Sequence, residues 1–189
     1  MDRYAAGDDR AFEVVYDSLA PRLGSYLARR VRDRAAVEDI VQQTFLHIHR
    51  ARGSFIAGAE VLPWAFAIAR RLMIDNDRVA QRQKAIELDA DHDMPMIASS
   101  AATGEEVLQA KQIAGRIDAE LARLSEPQRA AFELIKNEGL SLVQAAAVLG
   151  TTVTAVKLRV HRAYLALRAS LGDAIEPALA APAVKEKQQ

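Results

Sequence analysis

Apolar residues recur at intervals of three and four over long stretches of this chain, the spacing of one face of an α-helix. Phe12, Val15, Tyr16, Leu19, Leu23, Tyr26 and Leu27 form the first such set, interrupted at Pro21, which either kinks this helix or begins a new one. The second set is cleaner. Over residues 35–52, Val37, Ile40, Val41, Thr44, Phe45 and Ile48 make an apolar stripe, with Asp39, Gln42, Gln43, Leu46 and Arg50 opposite it. A leucine among carboxylate and amide groups reads either as part of a docking surface or as an isolated exposed leucine. "RGSFIAGAEVL" has two glycines and no period, and reads as a loop. Pro63 then suits the first position of a helix, where its missing N–H costs nothing. The helix it opens, "PWAFAIARRLMIDNDR", is apolar nearly all round as far as Ile68, so it is buried on several sides or covered by a partner.

The C-terminal half is marked by caps. A helix over 105–124 aligns Ile113, Ile117, Leu121 and Leu124. "LSEPQR" predicts an N-cap at Ser125, Pro127 just inside, and Gln128 completing a capping box. That helix ends near Gly139, and Ser141 with Gln144 repeats the device. A short helix over 142–149 ends at Gly150, and Thr152 caps a longer one reaching about Leu171. A short helix, a turn opened by glycine and then a basic helix form the helix-turn-helix pattern.

Composition turns these helices into two domains. The chain has 189 residues, half of them apolar but only 5% aromatic, which favours an all-α fold packed through small and aliphatic side chains. Lys+Arg and Asp+Glu balance at 25 each, yet the charge is segregated. Residues 85–104, "AIELDADHDMPMIASSAATG", contain four carboxylates and no Lys or Arg, are rich in small residues and lack helical periodicity. The expected organisation is a helical domain over 1–82, a flexible acidic linker over 83–104, a second helical domain over 105–172 and a disordered tail over 173–189. The absence of cysteine excludes disulfides, thiolate zinc sites and cysteine nucleophiles. A polar N-terminus and the lack of a ~20-residue apolar run argue for a soluble cytoplasmic protein without membrane insertion.

Residues 139–172 carry Lys157, Arg159, Arg162 and Arg168 and no acid. In the last long helix Val156, Val160, Ala163, Tyr164, Leu167 and Leu171 share the face that packs inward. Thr154, Ala155, Leu158 and Arg162 point the other way, with Lys157 and Arg159 on the flanks. Cations on an exposed helix replace the counterions condensed on duplex DNA, and small residues at its start let the backbone approach base edges. A charged, solvated helix face is the plainer alternative, but it leaves the caps, the turn and the absence of acids unaccounted for.

"VEDIVQQTF", then "PWAFAIARRLMID", then "LSEPQRAAFEL" and "GLSLVQAAAVLGTTVTAVKLRVHRAYLALR", in this order and spacing, resemble bacterial RNA polymerase sigma factors of the extracytoplasmic-function group. The resemblance spans about residues 8–80 and 106–171. It implies two helical domains, region 2 and region 4, no enzymatic activity and no cofactor. It also implies core RNA polymerase and promoter DNA as partners, the latter as duplex and as non-template single strand, with an anti-sigma factor a further candidate. Carried over residue by residue, the resemblance puts Asp39, Gln42, Gln43 and Leu46 on the helix that docks on core polymerase. The loop from Arg52, with Phe55, and the helix carrying Trp64, Arg70, Arg71 and Arg78 match the part that captures the minus-ten element. Trp64 is either a stacking wedge there or, on the face it shares with Ile68, a core residue. Thr152, Thr154, Ala155, Lys157, Leu158, Arg159 and Arg162 match the reader of the minus-thirty-five element. Arg71 stands where the family commonly has Asn, Gln144 where Glu is frequent, and Ala155 and Leu158 where hydroxylated residues are commoner, so base preference is not inherited.

Three other readings compete. A helix-turn-helix regulator working without polymerase would bind duplex alone, usually as a dimer on paired half-sites. A protein-interaction scaffold leaves the acid-free helix without a purpose. A helical hydrolase using His47, His49 and Asp residues lacks a nucleophile–base pair. "DADHD" over 89–93 begins like a calcium loop but has Met94 where Gly is needed and Ser100 where Glu is needed. His47 and His49 lie about 200° apart on a helix, too far round to share a metal.

Overall fold

The structure, a computed structural model, describes residues 1–86 and 115–172. All of the described regular structure is helical. The chain divides into two compact units, Met1–Asp89 and Ala90–Gln189.

In the first unit, α1 (Asp2–Ala5) and α2 (Ala11–Ala28) precede α3 (Arg34–Ala51), a 3-10 turn (Arg52–Ser54) and α4 (Val61–Ile86). α2, α3 and α4 pack against one another. Asp33 caps α3 by accepting from the Ala35 N–H at 2.9 Å. The whole apolar stripe of α3, from Val37 to Ile48, is buried as its spacing predicts. α2 buries Val15, Leu19, Leu23, Tyr26 and Leu27, and the Tyr26 ring meets Phe66 of α4 edge-on at 5.1 Å. Three features depart from the sequence pattern. α2 runs through Pro21 as one helix; the proline is exposed, so the carbonyl it leaves unpaired at Asp17 can be hydrated. Tyr16, placed on the core face, is 42% exposed and lies against the Phe45 ring at 4.6 Å. α4 starts at Val61 rather than Pro63, because the whole first turn, not only its first position, lacks intrahelical N–H partners. Its other end reaches Ile86, beyond residue 82, through "RVAQRQKAI", a run of strong helix formers. The rest of the expected linker, the "DADHD" stretch and the tail from residue 173 lie outside the described residues.

In the second unit, helical residues 115–123 (α5) lead to α6 (Glu126–Lys136), α7 (Leu142–Leu149) and α8 (Val153–Leu171). Leu121, Phe132, Ala163 and Leu167 form a buried cluster, with Ile117 and Leu124 against it. Both caps around α7 form as read. Ser141 accepts from the Gln144 N–H at 3.2 Å while the Gln144 side chain accepts from the Ser141 N–H at 2.7 Å. Gly150, at φ +59, closes α7 in the left-handed region. The capping box expected at Ser125 does not form: the backbone carbonyl of Ser125, not its hydroxyl, takes the Gln128 N–H at 3.0 Å. The two serines therefore differ in worth. Ser141→Ala should cost about 1 kcal/mol of this unit's stability and Ser125→Ala a small fraction of that, read as the difference between their urea midpoints.

Candidate nucleic-acid and polymerase interfaces

The turn between α7 and α8 is set by backbone chemistry. Gly150 reverses the chain, and Thr152 accepts from the Ala155 N–H at 3.1 Å, starting α8 at a defined angle. Val156, Ala163 and Leu167 are fully buried, so the position of these three fixes which side of α8 faces outward. Thr154, Lys157, Leu158 and Arg162 are exposed; Thr152, just before the helix, is exposed too; Ala155 and Arg159 are half-buried on the flanks. Helical spacing puts Thr154, Leu158, His161 and Leu165 in one line, i, i+4, i+7 and i+11, opposite the buried stripe. His161, exposed and seven residues from Thr154, belongs to this line although no sequence motif marks it. Among the described residues, Lys157, Arg159 and Arg162 have no carboxylate partner, and α8 itself carries none. As far as the described residues go, their charge is open to an external anion.

On α3, Asp39, Gln42, Gln43 and Leu46 are all exposed, and the Gln43 amide donates to the Asp39 carboxylate at 2.7 Å. Gln42 and Leu46 border a shallow groove together with Tyr4, Asp9, Phe12, Phe45 and His49. The arrangement is an exposed apolar side chain and a mixed aromatic and polar groove on the helix that carries the Asp39 carboxylate, 45% of Leu46 being in solvent.

The candidates for the minus-ten element divide. Phe55 and Trp64, both half-buried, pack together with ring centroids 5.4 Å apart. Arg71 and Arg78 follow Trp64 along α4 at intervals of seven, so the three share one side of the helix over about 21 Å. Arg71 is exposed without an ion pair among the described residues, whereas Arg78 lies 3.6 Å from Asp75 and Arg70 is half-buried. Arg52 is committed elsewhere. It pairs with Asp9 at 2.7 Å and lies over the Tyr4 ring at 5.0 Å, and hydrogen bonding to Tyr4 first and Asp9 second raises its pKa above the ordinary arginine value. Tyr4, almost fully buried, is hydrogen-bonded to His49 Nδ1 at 2.5 Å. The Gly58 N–H donates to the Asp2 carboxylate at 3.2 Å. The N-terminal residues thus hold the segment before α4 at its start, Arg52, and in its middle, Gly58, a role without a local sequence signal. No group of three His, Cys, Asp or Glu able to hold a metal occurs among the described residues.

Residues 15–83 match the model for Sigma-70 region 2, and residues 114–167 that for Sigma-70, region 4. The chain is 34% identical over 173 residues to the RNA polymerase sigma factor CarQ of Myxococcus xanthus, covering 92% of this chain and 96% of that protein. It is 33% identical over 168 residues to the ECF RNA polymerase sigma factor SigF of Caulobacter vibrioides, covering 88% and 89% respectively. Among solved structures it is similar to the sigma factor RpoE of Bartonella quintana, crystallised with the anti-sigma factor NepR. The TM-score is 0.66 at 24% identity, over 86% of this chain and 97% of that one. It is also similar to CnrH in complex with the cytosolic domain of CnrY, with a TM-score of 0.61 at 25% identity over 87% and 90%.

Proposed function

We infer the function from one premise: the chain belongs to the sigma-70 family, in its extracytoplasmic-function group of RNA polymerase sigma factors. It binds core RNA polymerase, directs it to promoters and promotes opening of the duplex for initiation. It acts as an initiation factor rather than an enzyme, and it works where the polymerase does, in the cytoplasm. No helix among the described residues is long and apolar enough to cross a membrane.

The carrying observation is the outward face of α8, where Lys157, Arg159 and Arg162 stand without carboxylate partners among the described residues, behind two formed caps. That face reads the minus-thirty-five duplex through Thr152, Thr154, Ala155, Lys157, Leu158, Arg159 and Arg162, together with the exposed His161. Phosphate contacts from the cations fix register, and side chains in the first two turns reach base edges. The α3 surface of Asp39, Gln42, Gln43 and Leu46 docks on the polymerase. The Phe55–Trp64 pair, continued by Arg71 and Arg78, supplies stacking and positive charge to the displaced strand, the two things a single strand requires. Arg70 stands beside that track and lends it charge; Arg52 shapes its entrance by anchoring the loop. An anti-sigma factor would silence the chain by covering the α3 or α8 faces. Run-off transcription with core polymerase on the chain's own upstream regions tests the reading. Promoter-dependent transcripts are expected only when both are present, and duplex binding by the free chain as a dimer without any such transcript would replace the reading with that of a polymerase-independent regulator.

A further inference from the structure

Leu158 is 47% exposed in the second turn of α8, while Val156, two residues away, is fully buried. A leucine cannot hydrogen-bond to a base edge. Its neighbours on the outward face include Thr154, Lys157, His161 and Arg162, groups that favour phosphates and base acceptors, while its other side meets a groove with Phe132 and Tyr164. Ala155 beside it is too short to compete for the space it reaches. In the major groove one base-pair feature is apolar, the C5-methyl of thymine, and it distinguishes a T·A pair from the other three. We propose that Leu158 is a specificity-determining residue that selects a thymine in the minus-thirty-five element by packing on its C5-methyl group. The inference rests on the sigma-factor reading and deepens it: cations of this face hold the helix in register, and the leucine turns the register into a requirement for a methyl group.

Leu158 also borders a shallow, largely apolar groove of about 540 Å³ with Phe132 and Tyr164, which would suit a protein segment instead. Two observations favour DNA. The residue stands in the helix portion that enters a groove in helix-turn-helix proteins, and it is flanked on both sides by cations lacking carboxylate partners among the described residues.

The test uses the full chain with core polymerase. Promoters are selected from DNA randomised in the upstream element, and each thymine there is then replaced by deoxyuridine, which removes the methyl and leaves base pairing intact. With the wild-type chain, initiation should fall about three- to tenfold at one or two thymine positions. It should recover when a 5-methylcytosine pair at the same position restores the methyl relative to plain cytosine. In Leu158→Ala the penalty for deoxyuridine should vanish. Equal sensitivity to deoxyuridine in both proteins, or none in either, overturns the proposal while the transcripts themselves keep the sigma reading intact. A Leu158→Ala defect that is the same on thymine and deoxyuridine templates also overturns it and assigns the residue to a protein contact. Absence of any promoter-dependent transcript overturns both readings.

Discussion

Replacing Lys157 and Arg162 together by alanine is expected to lower promoter occupancy by the polymerase complex some 10- to 100-fold at ~0.1 M salt while leaving the fold unchanged. Both side chains are exposed and neither has a carboxylate partner among the described residues, so no ion pair among those residues is lost with them. Each phosphate contact removed should also flatten the dependence of log affinity on log salt by about 0.9, so the double variant should lose up to about two units of slope. Titrating promoter DNA at four or five salt concentrations measures both quantities. The defect should disappear on promoters whose upstream element has been deleted. If occupancy and slope are both unchanged, the outward face of α8 does not meet DNA.

The second large effect is expected on α3. Asp39→Ala, Gln42→Ala and Leu46→Ala combined should weaken core polymerase binding about 30-fold, because truncating a few central residues of an interface removes roughly 2 kcal/mol or more. The same triple change should shift unfolding by less than ~1 kcal/mol, since all three side chains point into solvent. Competition against a labelled wild-type chain for core polymerase, alongside thermal unfolding of the variant, gives the two numbers. Unaltered affinity would remove the docking assignment without touching that of α8.

These two faces were legible for different reasons. The stripe of α3 repeats over several turns, and the structure buries all six of its residues, so its opposite side was known from spacing alone. The α7–α8 turn was legible because glycine, serine and threonine declare local geometry through hydrogen bonds within three residues. Ser125 shows the limit of that logic. The motif was present, but the backbone carbonyl had already satisfied the N–H that the hydroxyl would have taken. What stayed hidden depends on partners remote in sequence. Arg52 reaches Asp9 across 43 positions and Gly58 reaches Asp2 across 56, pairs of single residues that leave no periodic trace. Tyr16 was misplaced for a related reason. Its spacing fits the core face, yet it shares the Phe45 ring at the margin rather than entering the interior.

The division of α8 between a sealed side and an open one has a consequence for how such proteins diversify. Val156, Ala163 and Leu167 supply the buried attachment of the helix, and Thr152 with Gly150 sets its angle, while Thr154, Leu158, His161 and Arg162 are exposed. Random replacement at 154, 158, 161 and 162 should therefore leave most clones folded, and a duplicated copy could drift toward new regulatory sequences without first passing through an unstable intermediate.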